Sequence, residues 1–272
     1  MIEDFISVCG GLRRQNPLVH CISNYVAMNL NANALLAVGA SPLMSFSKDE
    51  MRELADRCDA LYVNIGCPDS FLVDASEIAV QVVAELRKPW VLDPVGVGVT
   101  RLRTDTAMRL ISVSTPAIIR GNASEIAALC GFVTADGTSI PAPKGVDGSD
   151  DSRGALEPAQ LLARKTGSVV VVSGPVDFIT DGSEVMTVAN GSPLMRRISG
   201  AGCTASALCA AFAAVEPDYL KAAWCAMALM GVAGERAAGV CHGTGSMQPA
   251  LIDELGTFNP ADYALNIKTV AL

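Results

Sequence analysis

Charged side chains are scarce in this chain: Asp, Glu, Lys and Arg make up 18% of its 272 residues, and they leave a net charge of −8. No basic run is longer than two residues. Nucleic-acid binding depends on neutralising phosphates with Lys and Arg, so that class of partner is disfavoured. Long apolar runs are missing too; none reaches the roughly 18 residues that a membrane-spanning helix needs. The first residues, MIEDFISVCGGLRRQ, begin acidic and lack the basic-then-apolar pattern of a secretory signal. Histidine is reduced to His20 and His242, neither of them paired with cysteines at zinc spacing, which argues against a structural zinc site. The nine cysteines contain no C-x-x-C pair, and their odd number fits reduced, buried thiols better than a disulfide framework. A G-x-x-x-x-G-K-[ST] loop is absent, which excludes a P-loop kinase. Together these absences predict a soluble, cytoplasmic protein.

What is present is apolar: half of the residues are hydrophobic. Short apolar runs at 60–66, 90–93, 117–122 and 168–174 read as strands, several ending in glycine or a polar residue. Between them lie helical patterns at 25–38, 70–88, 104–114, 123–131 and 158–167, the fifth position of this list preceded by a polar stretch over 134–157 that reads as a surface excursion. Residues 177–190 read as a hairpin with a tight Asp181-Gly182 turn, and from Ser199 onward alanine-rich helices dominate. Strands alternating with helices predict a mostly parallel sheet covered on both faces. No repeat or linker is evident, so one domain is expected over residues 1–272.

In such a sheet ligands bind at the carboxyl ends of the strands. Asn64 and Gly66, Asp93, Arg120 to Asn122, and Ser173 fall at those ends, and the turn from Gly200 to Cys203 can join them. That turn, SGAGCTASA, starts a helix, where free N–H groups and the helix dipole favour an anion. It also fits G-x-G-x-x-A, but it lies late in the chain with no acidic residue about 20 positions on, so a dinucleotide site is disfavoured. Asn122 and Glu125 can face one hydrated cation or can simply cap a helix. Asp93 suits a turn or a second carboxylate near that cation. Arg120, ending an apolar strand, must pair with a buried carboxylate or clamp a phosphate, and phosphate is favoured. Cys203 at a helix start should have a lowered pKa, yet a cysteine hydrolase would need a histidine partner, and only His20 and His242 exist.

Seven segments then carry a resemblance: PLVHCISNYVAMNLNANALLAVGASPLM (17–44), VNIG (63–66), VLDPVGVG (91–98), IRGNASEIA (119–127), KGVD (144–147), VVSGPVDFITDG (171–182) and SGAGCTASALCAAF (199–212). Together they resemble the hydroxyethylthiazole kinases of thiamine salvage, and they run in order along nearly the whole chain. The resemblance implies a ribokinase-like three-layer α/β sandwich that transfers phosphate from ATP, with Mg2+, to the hydroxyl of 4-methyl-5-(2-hydroxyethyl)thiazole. It implies that Arg120, Ser173 and Asn122 face ATP, and that Met44, Gly200, Asn24, Val26 and Gly66 face the alcohol. Glu125 and Asp93 would stand near magnesium. Gly200 and Gly202 would hold the transferred group, and Asp93 and Cys203 would stand at the reacting hydroxyl. A homotrimer with active sites at subunit interfaces is implied as well.

Two features depart from the wider pattern. Ribokinase-like enzymes generally place an aspartate where this chain has Cys203, as the thiazole kinases do, and Ala201 stands where threonine or serine is expected. The alternative is a ribokinase-like kinase for another small alcohol, a hydroxymethylpyrimidine, a pyridoxal or a sugar; Cys203 and the HCISNYV segment weigh against it.

Overall fold

Valine and isoleucine, branched at Cβ and suited to a pleated surface buried on both sides, recur in every strand but one. In the computed structural model, which describes residues 1–134 and 152–271, these become β1 (Leu18–Ile22), β2 (Ser41–Met44), β3 (Ala60–Asn64), β4 (Trp90–Asp93), β5 (Ile118–Asn122), β6 (Val169–Ser173), β7 (Asp177–Thr180) and β8 (Val185–Val188). They form one sheet in the order β2-β1-β3-β4-β5-β6-β7-β8. The first six strands run parallel; β7 and β8 turn back antiparallel as the expected hairpin. Gly182 supplies the left-handed residue of its turn, at φ +97°.

One face is covered by α1 (Ile2–Gln15), α2 (Met28–Val38), α8 (Ala201–Ala213), α9 (Tyr219–Val240), α10 (Thr244–Thr257) and α11 (Pro260–Ala264). Their buried residues, among them Phe5, Leu35, Phe212 and Trp224, make one core. The other face carries α3 (Met51–Arg57), α4 (Ser70–Glu85), α5 (Arg101–Val113), α6 (Ala123–Val133) and α7 (Leu156–Thr166), whose Leu54, Val80, Leu110, Leu129 and Leu162 make the second core. This is the three-layer α/β sandwich that the resemblance implied. Among the described residues, no helix is long and apolar enough to cross a membrane.

Several elements differ from the sequence reading. β2 is a four-residue edge strand containing Pro42, a residue that edge strands tolerate. α2 begins at Met28 rather than residue 25, because Asn24 Oδ1 accepts the N–H groups of Val26 and Ala27, both at 3.0 Å, and holds a turn there. Gly131 does not stop α6, which continues to Val133; the burial of Ile126, Leu129 and Cys130 on the same helix outweighs a glycine's helix penalty of about 1 kcal/mol. Of the polar stretch 134–157, most lies outside the described residues, as does KGVD; its end forms a single 3-10 turn at Arg153–Ala155 leading into α7.

The sheet's carboxyl edge collects the singled-out residues. Register places Asn64 level with Asp93 on β3 and β4, and Asn122 level with Ser173 on β5 and β6. α8 packs against β3, β4 and β5.

Candidate active site

The first turn of α8 is built to leave its amides free. Its N-cap is Gly200 in the left-handed conformation at φ +88°, and no side chain caps it. The N–H groups that open the helix are therefore available to an anion. Ala201 is buried against the core. The turn is held from several sides. Thr204 Oγ1 reaches Asn31 Oδ1 at 3.0 Å and the Gly200 carbonyl at 2.9 Å. The Tyr62 hydroxyl, fully buried, lies 3.0 Å from the Cys203 carbonyl and 3.2 Å from Asp93 Oδ2.

A continuous polar path runs from this turn across the strand ends. Asn24 Nδ2 points to Cys203 Sγ at 3.5 Å and donates to Asn64 Oδ1 at 2.8 Å. Asn64 Nδ2 donates to Asp93 Oδ2 at 2.7 Å, and its Oδ1 accepts the Gly66 N–H at 2.8 Å. Gly66 has no room for a side chain, since a Cβ there would stand 2.8 Å from both Asn24 Nδ2 and Asn64 Oδ1. Asn24, Gly66, Asp93 and Cys203 thus belong to one constellation. Val26 is exposed at its margin, and Met44, half-buried, ends the edge strand level with Cys21.

On the other side of Cys203 lies Arg120. A Cβ on Gly202 would meet Arg120 Nη1 at 2.7 Å, so the guanidinium lies directly against the start of α8. Arg120 Nη2 bonds the Ser173 hydroxyl, which sits 3.3 Å from the Gly121 carbonyl. Arg120 Nε is buried and has no protein partner. Burial pulls the arginine's pKa down, but Asp93, Glu125 and Asp177 around it more than compensate, so it stays charged. The three carboxyl groups respond the other way: burial pushes each of them up, Asp177 to about 7.

Asn122 and Glu125 form a full capping box for α6. Asn122 Oδ1 accepts the Glu125 N–H at 2.9 Å, and Glu125 Oε2 accepts the Asn122 N–H at 3.0 Å. Glu125 Oε1 also accepts the Gly96 N–H at 2.9 Å. The capping reading therefore holds in full, and Glu125 meets any cation with both oxygens already engaged. Among the described residues, no group of three or more His, Cys, Asp or Glu is placed to hold a metal by itself.

One expectation is corrected. The Cys203 thiol is not lowered by its helix start but pushed up to about 12, first by burial and next by the Asp93 charge. Local desolvation and a nearby anion outweigh the half-charge of a helix terminus. A histidine partner is not at hand either: His20 is fully buried and donates Nε2–H to the Ser45 carbonyl at 2.9 Å, while His242 is exposed. A cysteine-hydrolase arrangement is thereby excluded.

Tyr62, Arg103 and Asp177 were not read from the sequence. Tyr62 hides inside an apolar strand. Asp177 opens the hairpin and accepts the Gly174 N–H at 3.0 Å. Arg103 lies in the first turn of α5 and donates to three backbone carbonyls in the loops after β3 and β4. The glycine-rich DPVGVG was the available signal for Arg103, because such a loop needs something to hold it.

A free helix start over a buried arginine, at the carboxyl edge of a mostly parallel sheet, is an arrangement suited to a phosphate group on a three-layer α/β fold. The solved structures agree on the fold. A ribokinase-like superfamily protein from Enterococcus faecalis superposes with a TM-score of 0.59 at 15% identity, covering 88% of this chain and 86% of its own. The sequence goes further. The family model described as the hydroxyethylthiazole kinase family matches residues 10–260. A hydroxyethylthiazole kinase from Leptospira biflexa is 44% identical over 259 residues, 95% of this chain and 92% of that protein. One from Granulibacter bethesdensis is 46% identical over 250 residues, 92% of this chain and 88% of its own length. The solved hydroxyethylthiazole kinase of Pyrococcus horikoshii superposes with a TM-score of 0.88 at 34% identity, covering 99% of this chain and all of that one. The chain belongs to the hydroxyethylthiazole kinase family.

Proposed function

We propose that this protein transfers the terminal phosphoryl group of ATP to the hydroxyl of 4-methyl-5-(2-hydroxyethyl)thiazole, as a step of thiamine salvage. The observation that carries the reading is the start of α8, whose uncapped N–H groups lie between Arg120 on one side and the Asn24–Asn64–Asp93 path on the other. The N–H groups from Gly200 to Cys203 hold the transferred group, and Arg120 with Ser173 and Asn122 faces the nucleotide phosphates. Asn24, Val26, Gly66, Gly200 and Met44 line the alcohol side.

Phosphoryl transfer runs through a loose transition state, so charge stabilisation and alignment contribute most of the rate and the proton leaves late. A thiol with a pKa of about 12 is protonated at neutral pH and takes no proton from the alcohol. Cys203, fixed by Asn24, therefore orients the hydroxyl, and the proton departs with the product phosphate. Asp93, whose carboxyl pKa burial pushes up, is bonded to Asn64 beneath the reacting centre.

Magnesium fits this set. Asp93, Glu125 and Asp177 all act on the Arg120 charge, and burial pushes each carboxyl pKa up, a cost to the ionised forms that a divalent cation would offset. Asp93 and Glu125 would hold it through water, as suits an ion that keeps much of its hydration. Bound there, it neutralises charge on the nucleotide phosphates.

The protein is further read as one kinase domain, cytoplasmic, and a homotrimer with Met44 and Gly200 on opposite sides of a shared pocket. All nine cysteines are free, which suits a reducing compartment, and Tyr25, Val26 and Phe71 are exposed beside the site in the single chain. A coupled ADP-release assay with the thiazole alcohol, ATP and magnesium tests the central reading. A preference for a sugar, pyridine or pyrimidine alcohol would overturn it. Sedimentation of the purified protein tests the trimer.

A further inference from the structure

We infer that Arg103 is a positioning residue that locks the alcohol-side loop of the site to its nucleotide-side loop; the inference rests on the phosphotransfer reading above. Its guanidinium enters the gap between the chain leaving β3 and the chain leaving β4. Nη1 donates to the Ile65 carbonyl at 3.0 Å and to the Val95 carbonyl at 2.7 Å, and Nη2 donates to the Gly66 carbonyl at 2.8 Å. Three carbonyls from two separate loops converge on one cation.

Both loops continue into the site. Gly66 gives its N–H to Asn64, the residue that also reaches Asn24 and Asp93. Gly96, the residue after Val95, gives its N–H to Glu125. Gly96 adopts φ +72°, and a Cβ there would press on Arg103 Cδ at 3.0 Å, so the arginine lies flat against this turn. Arg103 is thus the junction between the path that sets the alcohol and the path that sets Glu125.

The chemistry of arginine suits this task. A planar fork with five donors can satisfy several carbonyls in fixed directions, and a lysine ammonium on a flexible stem cannot reproduce that geometry. The payoff is alignment. Two substrates must meet within a fraction of an ångström for in-line transfer, and a misplacement near 1 Å costs on the order of 100-fold. Loops freed from one another would still bind their own substrates but would present them out of line.

Steady-state kinetics on Arg103→Ala and Arg103→Lys, with thermal melts of each, test the inference. For Arg103→Ala the expected result is a fall in kcat of about 10- to 100-fold with the ATP KM within about threefold of wild type. Millimolar guanidinium ion added to that variant should restore part of the lost kcat, and Arg103→Lys should remain impaired. A folded Arg103→Ala with wild-type kcat overturns the inference, and so does a loss that follows only the folded fraction and ignores guanidinium. Should the alanine variant fail to fold, Arg103→Lys decides: a low kcat at unchanged ATP KM supports the inference, and a wild-type kcat overturns it. A wild type that releases no ADP with the thiazole alcohol overturns the phosphotransfer reading itself, whereas an active wild type beside an unimpaired variant overturns this inference alone.

Discussion

Gly202→Ala should slow the reaction while leaving the fold intact. Gly202 is the second residue of α8, and the carbon added by alanine would stand 2.7 Å from Arg120 Nη1. Comfortable contact needs about 3.5 Å, so the guanidinium must withdraw by roughly 0.8 Å. It has little freedom to do so, held by its bond to Ser173 and by the carboxylates of Asp93, Glu125 and Asp177. A retreat of that size at a phosphate clamp corresponds to a loss of about 10- to 100-fold in kcat/KM for ATP, or about 1.4 to 2.7 kcal/mol of transition-state stabilisation. Stability should fall only modestly, because the about 1 to 3 kcal/mol of overpacking against a confined guanidinium is offset in part by alanine's helix preference over glycine of up to about 1 kcal/mol. Initial rates at varied ATP, read by ADP release, give the first quantity, and thermal melts give the second. A variant with wild-type kcat/KM for ATP would refute the placing of Arg120 as the clamp. A fall in Tm that accounts for the lost activity would refute it equally.

Three further outcomes are expected. Cys203→Ser should keep kcat within about tenfold of wild type, since a neutral hydroxyl replaces a neutral thiol; a loss of about 1,000-fold or more would show that a thiolate takes part. Asp177, raised to about 7 by burial, binds its proton more tightly in the folded protein than in the unfolded chain, so its contribution to stability falls as pH rises from its unfolded value near 4 to about 7. Urea melts between pH 5 and 8 should therefore show Asp177→Asn gaining on wild type toward pH 8, by at most about 3 kcal/mol, and equal slopes would contradict the burial argument. Chelation of magnesium should abolish transfer without shifting Tm, because no cluster of three or more ligands among the described residues ties a metal to the fold; unfolding on chelation would point to a structural ion.

Legibility in the sequence followed physical scale. Strands buried on both faces, such as VVVVS at β6, announce themselves by composition, and so do helices with clear caps, such as α6 behind Asn122. β2 did not, because four half-buried residues with a proline carry too little pattern. The strand-end positions of Asn64, Asp93, Arg120 and Ser173 were legible because polar residues that close apolar strands are conspicuous. Their electrostatics were not. The helix-start rule predicted a lowered Cys203 pKa, whereas burial and Asp93 raise it, and both depend on residues more than 100 positions away in the chain. Tyr62 and Arg103 share that difficulty: one looks like core, the other like an exposed helical charge, until the fold brings their partners to them.

Under the proposed phosphotransfer, the electrostatic balance of the site bears on the form in which the nucleotide would bind. The free N–H groups of α8 and the Arg120 guanidinium attract phosphate, yet Asp93, Glu125 and Asp177 stand close enough to hold Arg120 charged. A bare triphosphate would meet both influences, attraction from the helix start and repulsion from three buried carboxyls whose proton affinity is already raised. A triphosphate carrying a divalent cation would meet attraction from both: α8 and Arg120 would hold its phosphates, and Asp93 and Glu125 would favour its metal. The same carboxylates that discriminate against the free nucleotide would orient the loaded one, so that binding and alignment follow from a single distribution of charge.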